Sequence, residues 1–207
     1  MMQVIKEEYS YAEVVSWLNK KGAELFGADF KLYDDDQYVI YKLIAYFLRD
    51  EQACKLYGLN LSKGILLTGP IGCGKTTLMT IMKLLSLTAQ KFQLRSCREV
   101  NFEFIRDGFE TIHRYSRGRN PSDIRIICFD DLGIEKNVKY YGNECNVMAE
   151  ILLSRYDLFV SKHVPTHITT NLSASEIEIH YGNRVRSRLR QMVNLIAFNE
   201  STPDKRQ

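Results

Sequence analysis

Eight consecutive residues, Gly69, Pro70, Ile71, Gly72, Cys73, Gly74, Lys75 and Thr76, fit the order G-x-x-x-x-G-K-[ST] at every fixed position. Glycine at these places lets the backbone approach an anion closely, so that successive N–H groups converge on phosphate oxygens. The flanks suit that reading. The apolar run 64–68 reads as a strand feeding the loop, and 77–87 reads as a helix leading out, which aims a helix N-terminus at the same anion. In such a loop Lys75 reaches the β- and γ-phosphates of ATP as a point charge and the Thr76 hydroxyl holds Mg²⁺, the cradle running on to Thr77.

A second pattern lies some 55 residues further on, where the apolar run 125–129 ends in Asp130 and Asp131, followed by Leu132 and Gly133. A buried strand ending in two acids suits a Walker B motif: Asp130 orients the metal, and Asp131 polarises the attacking water as general base. His167, Ile168, Thr169, Thr170 and Asn171 form a third pattern, a β-branched strand ending in polar groups. Thr169 or Asn171 would there hydrogen-bond the lytic water or the γ-phosphate, the role called sensor 1; an Asn turning the chain after a strand is the alternative. In the fourth pattern Arg184, Arg186, Arg188 and Arg190 alternate along one stretch. On a helix Arg184 and Arg188 share one side and Arg186 and Arg190 another. Such a helix is either a solvated basic face or the source of an arginine offered to a neighbouring subunit's γ-phosphate.

These groups need a frame to hold them. From residue 63 onward short apolar segments (64–68, 92–96, 125–130, 167–170 and 193–198) are separated by helical stretches, which predicts a parallel sheet covered by helices. Before it, Ser10 and Glu13 make a capping box ahead of an amphipathic helix. A second helix is expected after Asp34, Asp35 and Asp36, acids suited to a helix N-terminus. The expected organisation is therefore a helical N-terminal segment over 1–60 and an α/β core over 61–207, a three-layer sandwich with a mainly parallel five-stranded sheet and the nucleotide at the strands' carboxyl ends.

The chain has 207 residues, 45% hydrophobic and 26% charged. That balance suits a globular chain with one core, and excludes a disordered one. No apolar run is long enough to span a bilayer, and Glu7 and Glu8 interrupt the place of a signal peptide, so a cytoplasmic location without membrane attachment is expected. The five cysteines are scattered without zinc-ligand spacing and read as reduced thiols. Charge is unevenly divided: 7 Lys and Arg face 10 Asp and Glu in residues 1–60, and 21 face 15 in residues 61–207. The larger part is mildly basic, which permits a polyanion partner or a solvated surface. Phe109, His113, Arg114, Tyr115, Arg117 and Arg119 interleave basic and aromatic groups as single-strand binding requires; an amphipathic helix with a polar loop gives the same string.

Taken together, residues 61–207 resemble the AAA+ ATPases of the DnaC and IstB helicase-loader group. The resemblance rests on Lys63 through Leu67 before the loop, Asp130 to Gly133, Arg155 and Tyr156, Thr169 to Asn171, and Tyr181 and Gly182 through Ser187, Arg188 and Leu189. It implies that Arg188, or Arg184 one turn earlier, is an arginine finger and Arg206 a sensor 2 residue. It also implies ATP-dependent homo-oligomers on single-stranded DNA and a replicative helicase as partner. In the IstB branch the partner is a transposase, and a third possibility is an ATP-gated binding module without turnover. Two departures from the family pattern stand out: Asp131 occupies a place where many AAA+ proteins carry Glu, and no full C-terminal lid is expected after Arg206.

Overall fold

A computed structural model describes residues 10–118, 123–140 and 142–206. Three helices come first: α1 (Tyr11–Phe26), α2 (Gln37–Phe47), entered through a 3₁₀ turn at Asp34–Asp36, and α3 (Glu51–Leu56). The expected box at α1 forms, with the Ser10 backbone N–H donating to Glu13 at 3.2 Å. Strand β1 (Gly64–Thr68), α4 (Lys75–Leu85), β2 (Phe92–Ser96), α5 (Cys97–Asp107), α6 (Phe109–Ser116) and β3 (Ile126–Leu132) follow. Then come a small hairpin, β4 (Val138–Tyr140) with β5 (Asn143–Cys145), and α7 (Val147–Lys162), β6 (Thr166–Thr170), α8 (Ala174–Met192) and β7 (Val193–Ala197).

The main sheet has the order β2-β3-β6-β1-β7, and every neighbouring pair in it is parallel. β1, carrying the glycine loop at its carboxyl end, therefore lies inside the sheet with β6 beside it, and β3 is the next strand over. Parallel strands covered on both faces become continuous apolar runs: Ile65 and Leu67 in β1 and Cys128 and Phe129 in β3 are fully buried. One face packs α4 together with α1 and α2 in a single cluster that includes Leu18, Leu43, Ile44, Met79 and Ile81. The other packs α5, α7 and α8 through Phe104, Ile151, Leu152, Val185 and Leu189.

Two buried polar side chains brace this sheet. His167 on β6 accepts the Ile65 N–H through Nδ1 at 3.1 Å. It sits edge-on to Phe92 and Tyr46, and its burial holds its pKa near 3, so the ring is neutral. Arg155 on α7, only 1% exposed, donates to the Thr166 hydroxyl and to the carbonyls of Arg125 and Pro165 at 2.9–3.0 Å. It thereby ties the entrances of β3 and β6 to the helix that covers them.

β3 runs on through Leu132 because of an irregularity that the sequence pattern does not show. Phe129 pairs with Ile168 but Leu132 pairs with Thr170, so three steps on β3 match two on β6. The extra residue falls at the acid pair, and Asp131 has φ +56°. This is a β-bulge with a left-handed residue. No helix among the described residues is long and apolar enough to cross a membrane.

Candidate functional site

The glycine loop joins β1 to α4 as expected, with Gly74 as the residue before the helix, at φ +99° and ψ 17°. Gly72 also takes positive φ, +77°, a region where an L side chain is strained. α4 begins at Lys75, so its first N–H groups face the mouth of the loop. The Lys75 ammonium is drawn into the loop, donating to the carbonyls of Gly69 and Pro70 at 2.8 Å each. Cys73 is fully buried, its thiol pushed to higher pKa chiefly by burial. Ile71 points outward and is 63% exposed.

Sheet order then brings the acid pair to the same place. The Thr76 hydroxyl donates to the Asp130 carboxylate at 3.0 Å, and the Thr169 hydroxyl donates to Asp130 Oδ1 at 2.6 Å. Thr169 Oγ1 also accepts the Asp131 N–H at 2.9 Å. One fully buried hydroxyl on β6 thus holds both acids of β3. Burial raises the Asp130 carboxyl above its ordinary pKa, while the two hydroxyl donors pull it back. In a regular strand Asp131 would face away from Asp130. The bulge turns it instead toward the loop, where it lines a cavity of about 120 Å³ with Gly72, Gly74, Lys75, Thr76, Thr77, Lys205 and Arg206.

The remaining sequence-derived residues divide. Arg206 reaches this cavity. Asn171 is exposed after β6 and lies beyond the Thr169 network. α8 is kinked at Gly182, with φ +83° and ψ 160°. Beyond the kink, the Arg188 guanidinium lies 5.1 Å from the Tyr156 ring centre on α7, whereas Arg184 is exposed and Arg186 pairs with Glu178. On α6, Arg114 is taken up by Glu103 and Asp107 at 2.8 and 2.9 Å, and Tyr115 is buried with its hydroxyl on Glu103. Phe109, His113 and Arg117 stay exposed; Arg119 lies outside the described residues.

A second cavity, about 280 Å³, adjoins the loop and has no counterpart in the sequence reading. Phe26, Phe30, Leu32, Tyr33 and Leu78 form much of its wall, with Gly74, Thr77, Asp36 and Lys205 at the loop side. The wall is built locally. Asn19 Oδ1 accepts the Leu32 N–H at 2.7 Å, and Gly22 leaves room for Phe30, since a Cβ there would stand 1.9 Å from Phe30 Cε1. An aromatic and aliphatic cleft opening beside a phosphate cradle is the shape that a nucleoside requires. The sequence reading touched this stretch only through Asp34, Asp35 and Asp36, taken as acids at the start of α2.

The site's donors also suit magnesium. The Thr76 hydroxyl and Asp130 carboxylate are hard oxygen ligands within hydrogen-bond distance of each other, as a small divalent cation at a phosphate cradle needs.

No protein-family profile matches the sequence, and no curated protein does. Solved structures do share its fold. A candidate primosome component from Streptococcus pyogenes serotype M3 aligns over 83% of this chain and 83% of its own, at TM-score 0.56 and 18% identity. The DnaC helicase loader aligns over 73% and 90%, at 0.51 and 16%. AMPPCP-bound DnaA from Aquifex aeolicus aligns over 83% of this chain and 49% of its own, at 0.51 and 15%. At such identities the likeness establishes the architecture alone, an α/β fold built on a five-stranded parallel sheet.

Proposed function

We propose that the protein binds ATP with Mg²⁺ at the Gly69–Thr77 loop, hydrolyses it, and couples that cycle to the loading of a replicative helicase on DNA. The observation that carries the chemistry is the shared Thr169 hydroxyl, which holds the Asp130 carboxylate and the Asp131 backbone N–H, and so sets two acids of different role beside one phosphate cradle. The loading role is supported by a fold shared with a helicase loader, together with the sequence resemblance to that group.

Lys75, now on the loop's own carbonyls, sits where phosphate oxygens would replace those acceptors. Thr76 and Asp130 would hold the magnesium ion, which when bound neutralises charge on the phosphates. Asp131, freed by the bulge to face the cavity, accepts the proton of the attacking water. Thr169 has both its donor and its acceptor engaged, so it acts by holding Asp130 and Asp131 in place; Asn171, exposed at the strand end, is the group left to contact water or γ-phosphate. The cleft of Phe26, Phe30, Tyr33 and Leu78 seats the adenosine. Arg206 meets the phosphates from the segment after β7. An arginine from α8 completes the site of a neighbouring subunit in a homo-oligomer, and Phe109, His113 and Arg117 contribute to a single-stranded DNA surface.

The test is phosphate release from ATP by wild type and Lys75→Ala, with and without single-stranded DNA, beside calorimetric titration of ATP. Wild type is expected to bind and hydrolyse, faster with DNA, while Lys75→Ala loses ATP affinity. An unchanged dissociation constant in Lys75→Ala would remove the loop from the mechanism. Tight binding without turnover would leave an ATP-gated module.

A further inference from the structure

Between the two cavities stands one lysine that neither the motif nor the resemblance singled out. Lys205 lines both of them. Its backbone N–H donates to the Gly72 carbonyl at 3.1 Å, and its ammonium donates to the Cys73 carbonyl at 2.9 Å. The stem passes Gly74, with Cδ 3.9 Å from where a Cβ on that glycine would be. Tyr33 and Phe198 place their rings 4.9 and 5.1 Å from the ammonium. The other hydrogen-bond partner of the ammonium is the Asp36 carboxylate, and the two side chains are only 14% and 5% exposed. This pair therefore lies out of water, between residues 169 positions apart in the chain, directly against the loop that cradles phosphate.

Such a position gives the ammonium two claims upon it. A carboxylate as buried as Asp36 is costly without a cation beside it. A polyphosphate held at Gly72–Lys75 is a denser anion within the same cavity, and a flexible four-carbon stem lets an ammonium turn between acceptors. We propose that Lys205 reads the polyphosphate of the bound nucleotide and that Asp36 is its built-in competitor, an internal anion that sets how much of the lysine's charge the nucleotide receives. The inference rests on the reading of the loop as an ATP site. It assigns Lys205, ahead of Arg206, as the positioning cation of the segment after β7, and it links that segment to the entrance of α2.

Competition predicts opposite signs for the two partners, which a mere structural brace does not. Removing the cation in Lys205→Ala should weaken ATP·Mg²⁺ binding about tenfold, the worth of one charge-assisted hydrogen bond. Removing the competitor in Asp36→Asn should tighten it several-fold. The tightening must vanish in the double variant, because without Lys205 there is nothing to release; Lys205→Arg, which keeps the charge, should retain much of the affinity. Calorimetric titration of ATP·Mg²⁺ reads all four, with thermal melting to confirm folding, and Asp36→Ser serves if Asp36→Asn does not fold. Weakening in both single variants would make the pair a brace, and tightening that persists in the double variant would make Asp36 a direct repulsive charge; either overturns the proposal, as does no change in any variant. Absence of ATP binding by wild type, or undiminished binding by Lys75→Ala, would instead overturn the ATP reading on which it stands.

Discussion

Replacing Thr169 by Val keeps the shape of a fully buried side chain and removes one oxygen. That oxygen donates to Asp130 Oδ1 at 2.6 Å and accepts the Asp131 N–H at 2.9 Å. The first loss is a hydrogen bond to a charged group, worth about 1.5–3 kcal/mol, and the second leaves a backbone donor unpaired, at about 1–3 kcal/mol. The two share one atom and are not additive, so a loss of about 2–4 kcal/mol is expected, roughly 4–16 °C in melting temperature for a chain of this length. The loss should depend on pH in a stated direction. Burial places the folded pKa of Asp130 above the unfolded value of 3.8, so the stability linked to this group is fully present below 3.8 and is lost as pH rises through the folded value. Without the Thr169 donor the folded pKa climbs further, and more is lost. Urea unfolding of both proteins at about pH 4 and about pH 7.5 should thus show a larger deficit for Thr169→Val at the higher pH, while Thr169→Ser, which keeps the hydroxyl, stays near wild type. Equal stability of Thr169→Val, or a deficit that is the same at both pH values, would refute the shared-hydroxyl account.

Asp131→Asn keeps shape and removes the base, and is expected to bind ATP like wild type while phosphate release falls at least tenfold in a colorimetric assay. Arg188→Ala should bind ATP yet hydrolyse it about 10³-fold more slowly, and mixing it with Lys75→Ala should restore part of the rate; if Arg184→Ala shows this behaviour instead, the finger lies one turn earlier. Arg155→Met strips three acceptors of a buried donor, and a melting temperature lower by about 6–12 °C is expected, for a loss of about 3 kcal/mol. Gly22→Ala pushes Phe30 from the wall of the nucleoside cleft; ATP affinity should drop several-fold with little change for inorganic triphosphate, a comparison that competition titration makes directly.

Much of this protein is written in contiguous stretches. The loop Gly69–Thr76 could be read because the phosphate cradle proposed for it needs glycines, a lysine and a threonine at fixed short spacing, and the chain alone imposes that spacing. The strand segments at 64–68 and 92–96 match β1 and β2 residue for residue; two-sided burial makes β1 an unbroken apolar run, while the edge strand β2 alternates buried Phe92 with exposed Gln93 and Arg95. The Asp130–Asp131 pair was legible as an acid-ended strand. Its end was not, because the bulge that carries β3 to Leu132 exists only where β3 pairs with β6. The same pairing separates Thr169 from Asn171: both are polar residues at a strand end, and only the neighbour's register shows that the Thr169 hydroxyl is spent on the Asp130 carboxylate and the Asp131 N–H while Asn171 stays exposed. Arg114 and Tyr115 looked free for DNA until the turn from α5 to α6 set Glu103 and Asp107 against them. Nothing local marks Lys205, and Asp36 reads only as one of three acids ahead of α2. A lysine and an aspartate 169 residues apart become a pair through the order β2-β3-β6-β1-β7, which sets β7 beside β1 and delivers the segment after it to the loop, where α2 has already been packed against α4. Spacing along the chain picked out the groups proposed to do chemistry; which of them meet, and which are held by others, was decided by strand order and by the cost of leaving buried polar groups unpaired.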